Sequence, residues 1–335
     1  MTYWEEINKK LKPKIDSEFN KTVVDLFAGC GGLSLGFEAN GFKTIGYEMD
    51  EKACKTYRKN LFGECFNEKL SVDSKYPKAE VVIGGPPCQP FSVGGKQLGL
   101  KDSRDGFPIF LSAIKKLDPE VLLFENVRGM LYKNRWYLEE VIGELEKMGY
   151  HIQYSLLNAV DYEVPQNRER VIVIGSKKRV NLPRKIVRKV TVGQALGELA
   201  FQFDADSKFF TRSMNAYVAK YEKASKCINP RDLYLDRPAR TLTCRNLAGA
   251  TGDMHRIKLK DGRRRRITVR EAARLQSFPD WFEFIGNETQ QFNQIGNAVA
   301  PHFAYHLARN IREHLRDESP EMDYSITEDN QLALF

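Results

Sequence analysis

Over the first 150 residues, short apolar runs alternate with stretches of helical periodicity. Thr22-Val23-Val24-Asp25-Leu26-Phe27 has the pattern of a buried strand, followed by glycines and a helix-like stretch to Glu38. Residues 42–47 read as a second strand ending at Glu48, and residues 81–84 and 121–124 as two more. Leu138, Val141, Ile142, Leu145 and Met148 recur at helical spacing, with Gly149 as the stop signal. Val171-Ile172-Val173-Ile174-Gly175 closes the series as another strand. This alternation predicts an α/β fold: a doubly wound, mostly parallel, Rossmann-like sheet with helices on both faces.

After Gly175 the pattern changes. Residues 177–189 carry seven positive side chains and no acid. Thr191-x-x-Gln194 is a capping box for a short helix through Leu199, and Thr268-x-x-Glu271 is a second one, opening a helix with Ala272, Ala273 and Leu275 inward. Residues 200–236 show no clear periodicity and are expected to be irregular; Thr241 to Cys244 is a short strand candidate. The expected organisation is an N-terminal extension (1–21), a large domain (22–178 and 286–318), a smaller, irregular, partly β domain (179–285) and an acidic tail (319–335).

Composition narrows the setting. No stretch approaches the roughly 18–20 apolar residues that span a membrane, and the polar start lacks a secretory apolar segment, so a cytoplasmic location is expected. The six cysteines form no C-x-x-C pair and only five histidines are present, so reduced thiols and no metal site are expected. The net charge of +8 is uneven: residues 177–270 hold 24 Lys and Arg against 8 Asp and Glu, a surplus of 16, which leaves −8 for the rest. A basic segment on an otherwise acidic chain is the footprint of a polyanion partner.

Three features carry chemistry. Cys88 follows Pro86-Pro87 at the end of an apolar run, and Glu125 ends another. A thiol and a carboxylate at two strand ends suit addition of a thiolate to an electron-poor ring, with the acid managing charge on a ring nitrogen. Between residues 25 and 33 a strand runs through a glycine turn into a helix start, where backbone amides favour a negatively charged group. Glu48 closes the next strand, where a carboxylate can accept two ribose hydroxyls. The pair predicts a nucleoside cofactor. A dinucleotide fingerprint fails, because the sixth position counted from Gly29 is Ser34, and this disfavours an oxidoreductase.

Six blocks in order then identify a resemblance, over roughly residues 22–312, to the bacterial cytosine-5 DNA methyltransferases: the 25–32 turn, residues 84–92 around Cys88, Glu125-Asn126-Val127, Gln166-Asn167-Arg168-Glu169-Arg170, residues 270–280, and Gln294-Ile295-Gly296-Asn297-Ala298-Val299. The resemblance implies S-adenosyl-L-methionine as cofactor, with S-adenosyl-L-homocysteine as product, held by Asp25, Phe27, Ala28, Gly29, Gly31, Gly32, Leu33, Glu48, Met49, Pro86 and Asn297. It implies Cys88 as the nucleophile on cytosine carbon 6, Glu125 at ring nitrogen 3, Arg170 near the base and Arg168 ordering the site. A base inside a duplex must be everted to be reached, and residues 91–104 are expected to close over it. Expected DNA contacts are Gln89, Ser92, Lys96, Arg104, Arg245, Arg263, Arg264 and Arg265, on double-stranded DNA with a short specific target. The family often places an Asp-Ile pair before the nucleophile strand, its Asp on the adenine amino group. Here Lys69 stands where the Asp is expected, with Asn67 or Asp73 as substitutes. A monomer and a cognate restriction endonuclease in the same system are further implications. The rival readings are an RNA cytosine methyltransferase and a non-catalytic DNA-binding relative.

Overall fold

Seven strands form one sheet in a computed structural model that describes residues 1–87, 105–224, 226, 231–249 and 252–317. Cys88, Gln89, Ser92, Lys96 and Arg104 lie outside the described residues, with the expected closing loop and the tail. In chain order the first elements are α1 (Tyr3–Lys10), β1 (Thr22–Leu26), α2 (Gly32–Glu38), β2 (Lys43–Glu48), α3 (Glu51–Asn60), β3 (Glu64–Asn67), β4 (Val81–Gly84), α4 (Phe107–Leu117), β5 (Val121–Val127), α5 (Arg135–Lys147), β6 (His151–Asn158) and β7 (Glu169–Ser176). The strand order is β3-β2-β1-β4-β5-β7-β6, parallel except for β7, which runs against both its neighbours.

Alternate residues of the central strands feed opposite cores, as the two-residue strand period requires. Val23, Val81, Ile83, Val121, Leu123, Ile172 and Ile174 meet Leu33, Phe37, Phe303 and Leu307 on one face. Val24, Leu26, Val82, Leu122, Phe124, Val171 and Val173 meet Phe107, Phe110, Leu138 and Val141 on the other. From β1 the chain goes out to β2 and β3, then returns to place β4 on the other side of β1. That reversal opens a crevice at the carboxyl ends of β1 and β4, where open α/β sheets bind ligands.

Beyond the sheet lie α6 (Val192–Leu196), α7 (Arg212–Ala224), α8 (Cys244–Ala248), β8 (Arg256–Lys258), β9 (Arg264–Arg266), α9 (Val269–Leu275), α10 (Glu288–Asn297) and α11 (Pro301–Leu315). The last returns to the sheet and packs on α2, where a Cβ on Gly36 would collide with the backbone of Ala304 and Tyr305.

Both capping boxes form: Thr191 with Gln194 and Thr268 with Glu271. Two local expectations fail. Residues 200–236 contain α7, which buries only Val218, too little to leave a 3.6-residue pattern. Thr241 to Cys244 is no strand; the Thr243 hydroxyl accepts from Asn246 N–H and starts α8 instead. The first residues hold α1, which opens on a Thr2–Glu5 capping box and buries Tyr3 and Ile7.

Candidate active site

The turn after β1 winds tightly. Phe27, Gly29 and Gly31 all take positive φ, at 62°, 56° and 89°. At Gly29 a Cβ would meet nothing within 4 Å, so the backbone borders open space there. At Gly32 it would stand 2.5 Å from the Val299 carbonyl, because the segment between α10 and α11 presses on the helix start. The Gly29 N–H donates to Glu48 Oε2 at 2.8 Å, and Asp50 N–H donates to Oε1 at 2.7 Å. Glu48 is thereby fixed at the end of β2, over the crevice. Met49 beside it is 69% exposed. β3 ends with Asn67 in register with Glu48, and the Asn67 amide donates to the carbonyls of Glu48 and Met49. Lys69 and Asp73 are exposed beyond the strand end. A half-buried carboxylate at the end of β2 and open space over a glycine fit a nucleoside.

Asp25 and Leu33 differ from the rest of the expected cofactor set. Asp25 is enclosed beneath the turn, where it accepts from Ser34 Oγ at 2.6 Å. Burial pushes its pKa up to about 7, with the Glu48 carboxylate adding to the rise. Leu33 is part of the sheet's core. Both shape the turn from behind.

At the neighbouring strand ends, Arg170 Nε lies 2.6 Å from Glu125 Oε1, each side chain about one-eighth exposed (14% and 13%). The antiparallel pairing of β5 with β7 brings them together, with Val127 opposite Arg170. Asn126 donates to the buried Pro86 carbonyl at 3.0 Å, and Gly106 N–H to the Pro87 carbonyl at 3.0 Å. A Cβ on Gly85 would stand 3.8 Å from Glu125 Oε2. The chain leading into Cys88 is therefore tied down on both sides, next to Glu125.

Arg168 and Arg170, two residues apart, have separate environments. Arg168 is buried and donates to the carbonyls of Leu242, Gly296 and Ala298 at 2.8, 3.2 and 3.1 Å. Burial pushes its pKa down to about 9, and the Arg170 charge adds to the fall. Gln166 joins the same fastening: its amide donates to the Gln276 side chain, and its oxygen accepts from Leu242 N–H at 2.8 Å. The Gln276 amide in turn donates to the carbonyls of Ile295 and Ala298. Both glutamines sit inside recognised blocks, yet nothing local in the sequence marks them as fasteners; the partners lie up to 110 residues away. Asn297 is exposed, and its Oδ1 accepts from Cys244 Sγ at 2.9 Å.

A cleft of about 830 Å³ is lined by Val127, Glu169 and Arg170 on the sheet side and by residues 231–234, 237–241 and His255 on the other. Of the expected DNA contacts, Arg245 is exposed and Arg263 is half exposed, stacked over Phe203 and Phe209 and paired with Asp261. Arg264 is largely spent on Asp232 and Asn215. Arg265 is a correction: it is 1% exposed and makes a two-pronged pair with Glu271 at 2.7 and 2.8 Å, so it belongs to the interior and not to a DNA-facing surface. β9 alternates, which turns Arg265 inward while its neighbours face out.

Among the described residues, Glu163, His302 and His306 form one group with metal-ligand chemistry. Lys10 Nζ already stands 3.4 Å from His302 Nε2 and 3.9 Å from Glu163, and Arg188 is 3.3 Å from the same carboxylate. Two cations therefore balance the carboxylate there. The thiols of Cys30, Cys54 and Cys65 are buried, and burial pushes that of Cys30 up to about 12, which suppresses thiolate chemistry.

Residues 21–313 match the family of C-5 cytosine-specific DNA methylases. The Type II methyltransferase M.AplI of Arthrospira platensis is 52% identical over 340 residues, covering all of this chain and 98% of that protein. The Type II methyltransferase M.FnuDI of Fusobacterium nucleatum is 32% identical, covering 88% of this chain and 95% of its own length. Among solved structures, a putative prophage-encoded DNA modification methyltransferase from E. coli superposes with a TM-score of 0.67 at 25% identity, covering 89% of this chain and all of that one. The S. pombe Dnmt2 methyltransferase superposes with a TM-score of 0.69 at 17% identity, covering 89% of this chain and all of that one, which shows the shared fold. No helix among the described residues is long and apolar enough to cross a membrane. With the sheet, the crevice at the ends of β1 and β4 and the Glu125–Arg170 pair already in place, the match over nearly the whole length makes this chain a member of the C-5 cytosine-specific DNA methylase family, a DNA cytosine-5 methyltransferase of a family that depends on S-adenosylmethionine.

Proposed function

We propose that the chain methylates one cytosine within a short duplex DNA sequence, with Cys88 as nucleophile, and that it protects host DNA in the cytoplasm from a cognate restriction endonuclease. The observation that carries this reading is the Glu125–Arg170 pair beside the anchored Pro86-Pro87 segment. A free thiol has a pKa near 8.5, so the positive charge of Arg170 close to the segment's end favours the thiolate. The thiolate adds to carbon 6 of the everted ring and breaks its 5,6 double bond. Arg170 holds one oxygen of Glu125, which leaves Oε2 to share a proton with ring nitrogen 3 as electron density arrives there. Arg168 acts as a positioning residue. It ties the β7 entry to the segment from 296 to 298, so the base site and the cofactor crevice keep a fixed separation.

S-adenosylmethionine, when bound, would supply the methyl group to carbon 5 as its sulfur–methyl bond breaks and leave S-adenosylhomocysteine; loss of the carbon 5 proton and of the Cys88 thiolate then restores the 5,6 double bond. Glu48 is assigned to the ribose hydroxyls, the glycine turn with Phe27 and Ala28 to the rest of the nucleoside, and Met49, Pro86 and Asn297 to the rim. Asn67 is the candidate for the adenine edge; its register with Glu48 supports this reading. Its amide hydrogens are spent on the Glu48 and Met49 carbonyls, which leaves Oδ1 to accept from the adenine amino group. Residues 179–285 form the target-recognition part, and Arg245 and Arg263 are assigned to phosphates.

Bisulfite sequencing of DNA from cells expressing the gene tests the whole reading. Modified cytosine in one sequence context is expected. Methyl transfer to transfer RNA with none to duplex DNA would replace DNA by RNA as the substrate.

A further inference from the structure

The basic region's arginines divide by what they already hold. Arg256 is fully buried between Asp232 and Glu222, at 2.5 and 2.8 Å. Arg264 is held by Asp232 and Asn215, Arg265 by Glu271, and Arg266 donates to the Leu247 carbonyl. Arg240 is bound to Asp253 through both its side chain and its carbonyl. Arg231 is different. Among the described residues it makes no hydrogen bond; its one contact is with Asp253, at 3.7 Å. Its side chain is 31% exposed on the wall of the cleft facing Arg170.

The same wall collects buried polar atoms without partners. Arg231 Nε and Arg240 Nε have none, and neither ring nitrogen of the fully buried His255 has one. Buried polar groups are nearly always satisfied, so each orphan asks for a ligand or water. Here all of them border one cleft. Asp253 accepts from Arg240 and stands 3.7 Å from Arg231 Nε, so it attracts Arg231 without spending a hydrogen bond on it. A guanidinium drawn to a carboxylate and still with donors to spend differs from a rim charge such as Arg237, which is exposed, paired with Asp236 and stacked on Tyr234. Rim charges suit phosphates; a fork inside the cleft suits a planar two-acceptor edge.

We propose that Arg231 is a specificity-determining residue that reads a guanine in the target sequence, donating to its O6 and N7, with Asp253 as the positioning residue that aims it. This rests on the DNA methyltransferase reading given above. Arg240 and His255 back the same wall, with Arg240 repelling Arg231 toward the cleft.

The test is methylation of a duplex library randomised around the modified cytosine, at several salt concentrations, for the wild type, R231A, R231K and D253N. The wild type is expected to require guanine at one position. R231A should flatten that preference by roughly ten- to a hundredfold and leave the other positions selective. R231K keeps the charge but not the fork, so it should lose the preference while its salt dependence stays that of the wild type. D253N should weaken the preference at that same position only. Two results overturn the assignment: R231K keeping full guanine preference, or R231A losing activity equally on all sequences with a salt slope lower by about one. The second would make Arg231 a phosphate contact. A wild type that leaves every duplex unmodified would sink the methyltransferase reading itself, whereas a selective wild type matched by R231A sinks this assignment alone.

Discussion

The sheet's core is almost wholly apolar, whereas the basic region after it adds buried ion pairs to its apolar core. The central strands are apolar on both faces and satisfy their backbones through the ladder, so their side chains need no polar partners. The basic region also has an apolar core, with Leu233, Leu242, Leu247, Ile257, Leu259 and Ile267 in one cluster and Phe210, Val218 and Met254 in a smaller one. To this it adds buried charge: Arg256 with Asp232 and Glu222, Arg264 with Asp232, and Arg265 with Glu271. Dispersion and burial tolerate changes in solvent conditions. Buried ion pairs fail badly when one partner is lost, because the other charge is then stranded. The proposed reaction uses both properties: a rigid floor for the chemistry, and a charged wall across the cleft from it.

The largest effect should come from the floor. Cys88→Ser should lower methyl transfer by roughly 10⁴-fold or more, without shifting the melting temperature measurably, since the role proposed for it is chemical. Radiolabel transfer from the cofactor to duplex DNA measures the first, and calorimetry the second. Residual activity near that of the wild type would remove the nucleophile from the proposal.

Next comes a direct break of the comparison. Arg256→Met removes the buried guanidinium shared by Asp232 and Glu222, leaves Arg264 on Asp232, and should cost about 1–3 kcal/mol, confined to the basic region. Leu123→Ala should cost ~2–5 kcal/mol and lower the whole unfolding transition, since Leu123 is central to the sheet. Hydrogen exchange read by peptide separates the two. Arg256→Met should deprotect α7 and the β8–β9 hairpin while β1, β4 and β5 stay protected. Uniform deprotection by both variants would mean the two regions fold as one unit.

The same division explains what could be read from the sequence. Strands such as residues 81–84 and 171–175 are uniformly apolar, and the glycine turn, Glu48 and Glu125 sit at their ends, so one-dimensional pattern and spacing located them. β6 has a mostly half-exposed pattern and gave no such signal. α7 was hidden because charge, not an apolar stripe, fastens it through Glu222 and Arg256. The fate of Arg265 was hidden for a related reason. In a run of four arginines, only the three-dimensional pairing with Glu271 decides which one points inward. Gln166 and Gln276 show the same limit at the site: a hydrogen bond between distant segments has no periodicity.

Acidification sharpens the contrast, because the two regions carry buried groups of opposite response. His255 is pushed down to about 3 by burial, aided by the neighbouring arginines. Its unfolded value is near 6.5, so its contribution is complete above that pH and is lost as the pH falls toward 3. Asp25 under the glycine turn is pushed up to about 7, against an unfolded value near 3.9. Its contribution is complete below pH 4 and is lost as the pH rises toward 7. Between pH 6.5 and 4.5 each change amounts to at most ~3 kcal/mol, with opposite signs. Peptide-level exchange over that range should show the basic region loosening while the β1–α2 turn tightens. His255→Gln should remove the first trend alone, and Asp25→Asn the second alone.

The smallest effect tests the seam between the two regions. Thr243 starts α8 by accepting from Asn246 N–H, and Asn246 returns the bond to Thr243 N–H at 2.8 Å. Its neighbours Leu242 and Cys244 contact Arg168 and Asn297, so the cap lies where the recognition wall meets the base site. Thr243→Ala removes one cap acceptor and should cost ~1 kcal/mol. Thr243→Ser keeps the oxygen and should recover most of it. If the seam transmits order between the regions, the alanine variant should also raise the KM for DNA more than it lowers kcat, because α8 frays before the catalytic sheet is affected. A fall in kcat with KM unchanged would instead place Thr243 in support of Arg168, on the sheet's side of the boundary.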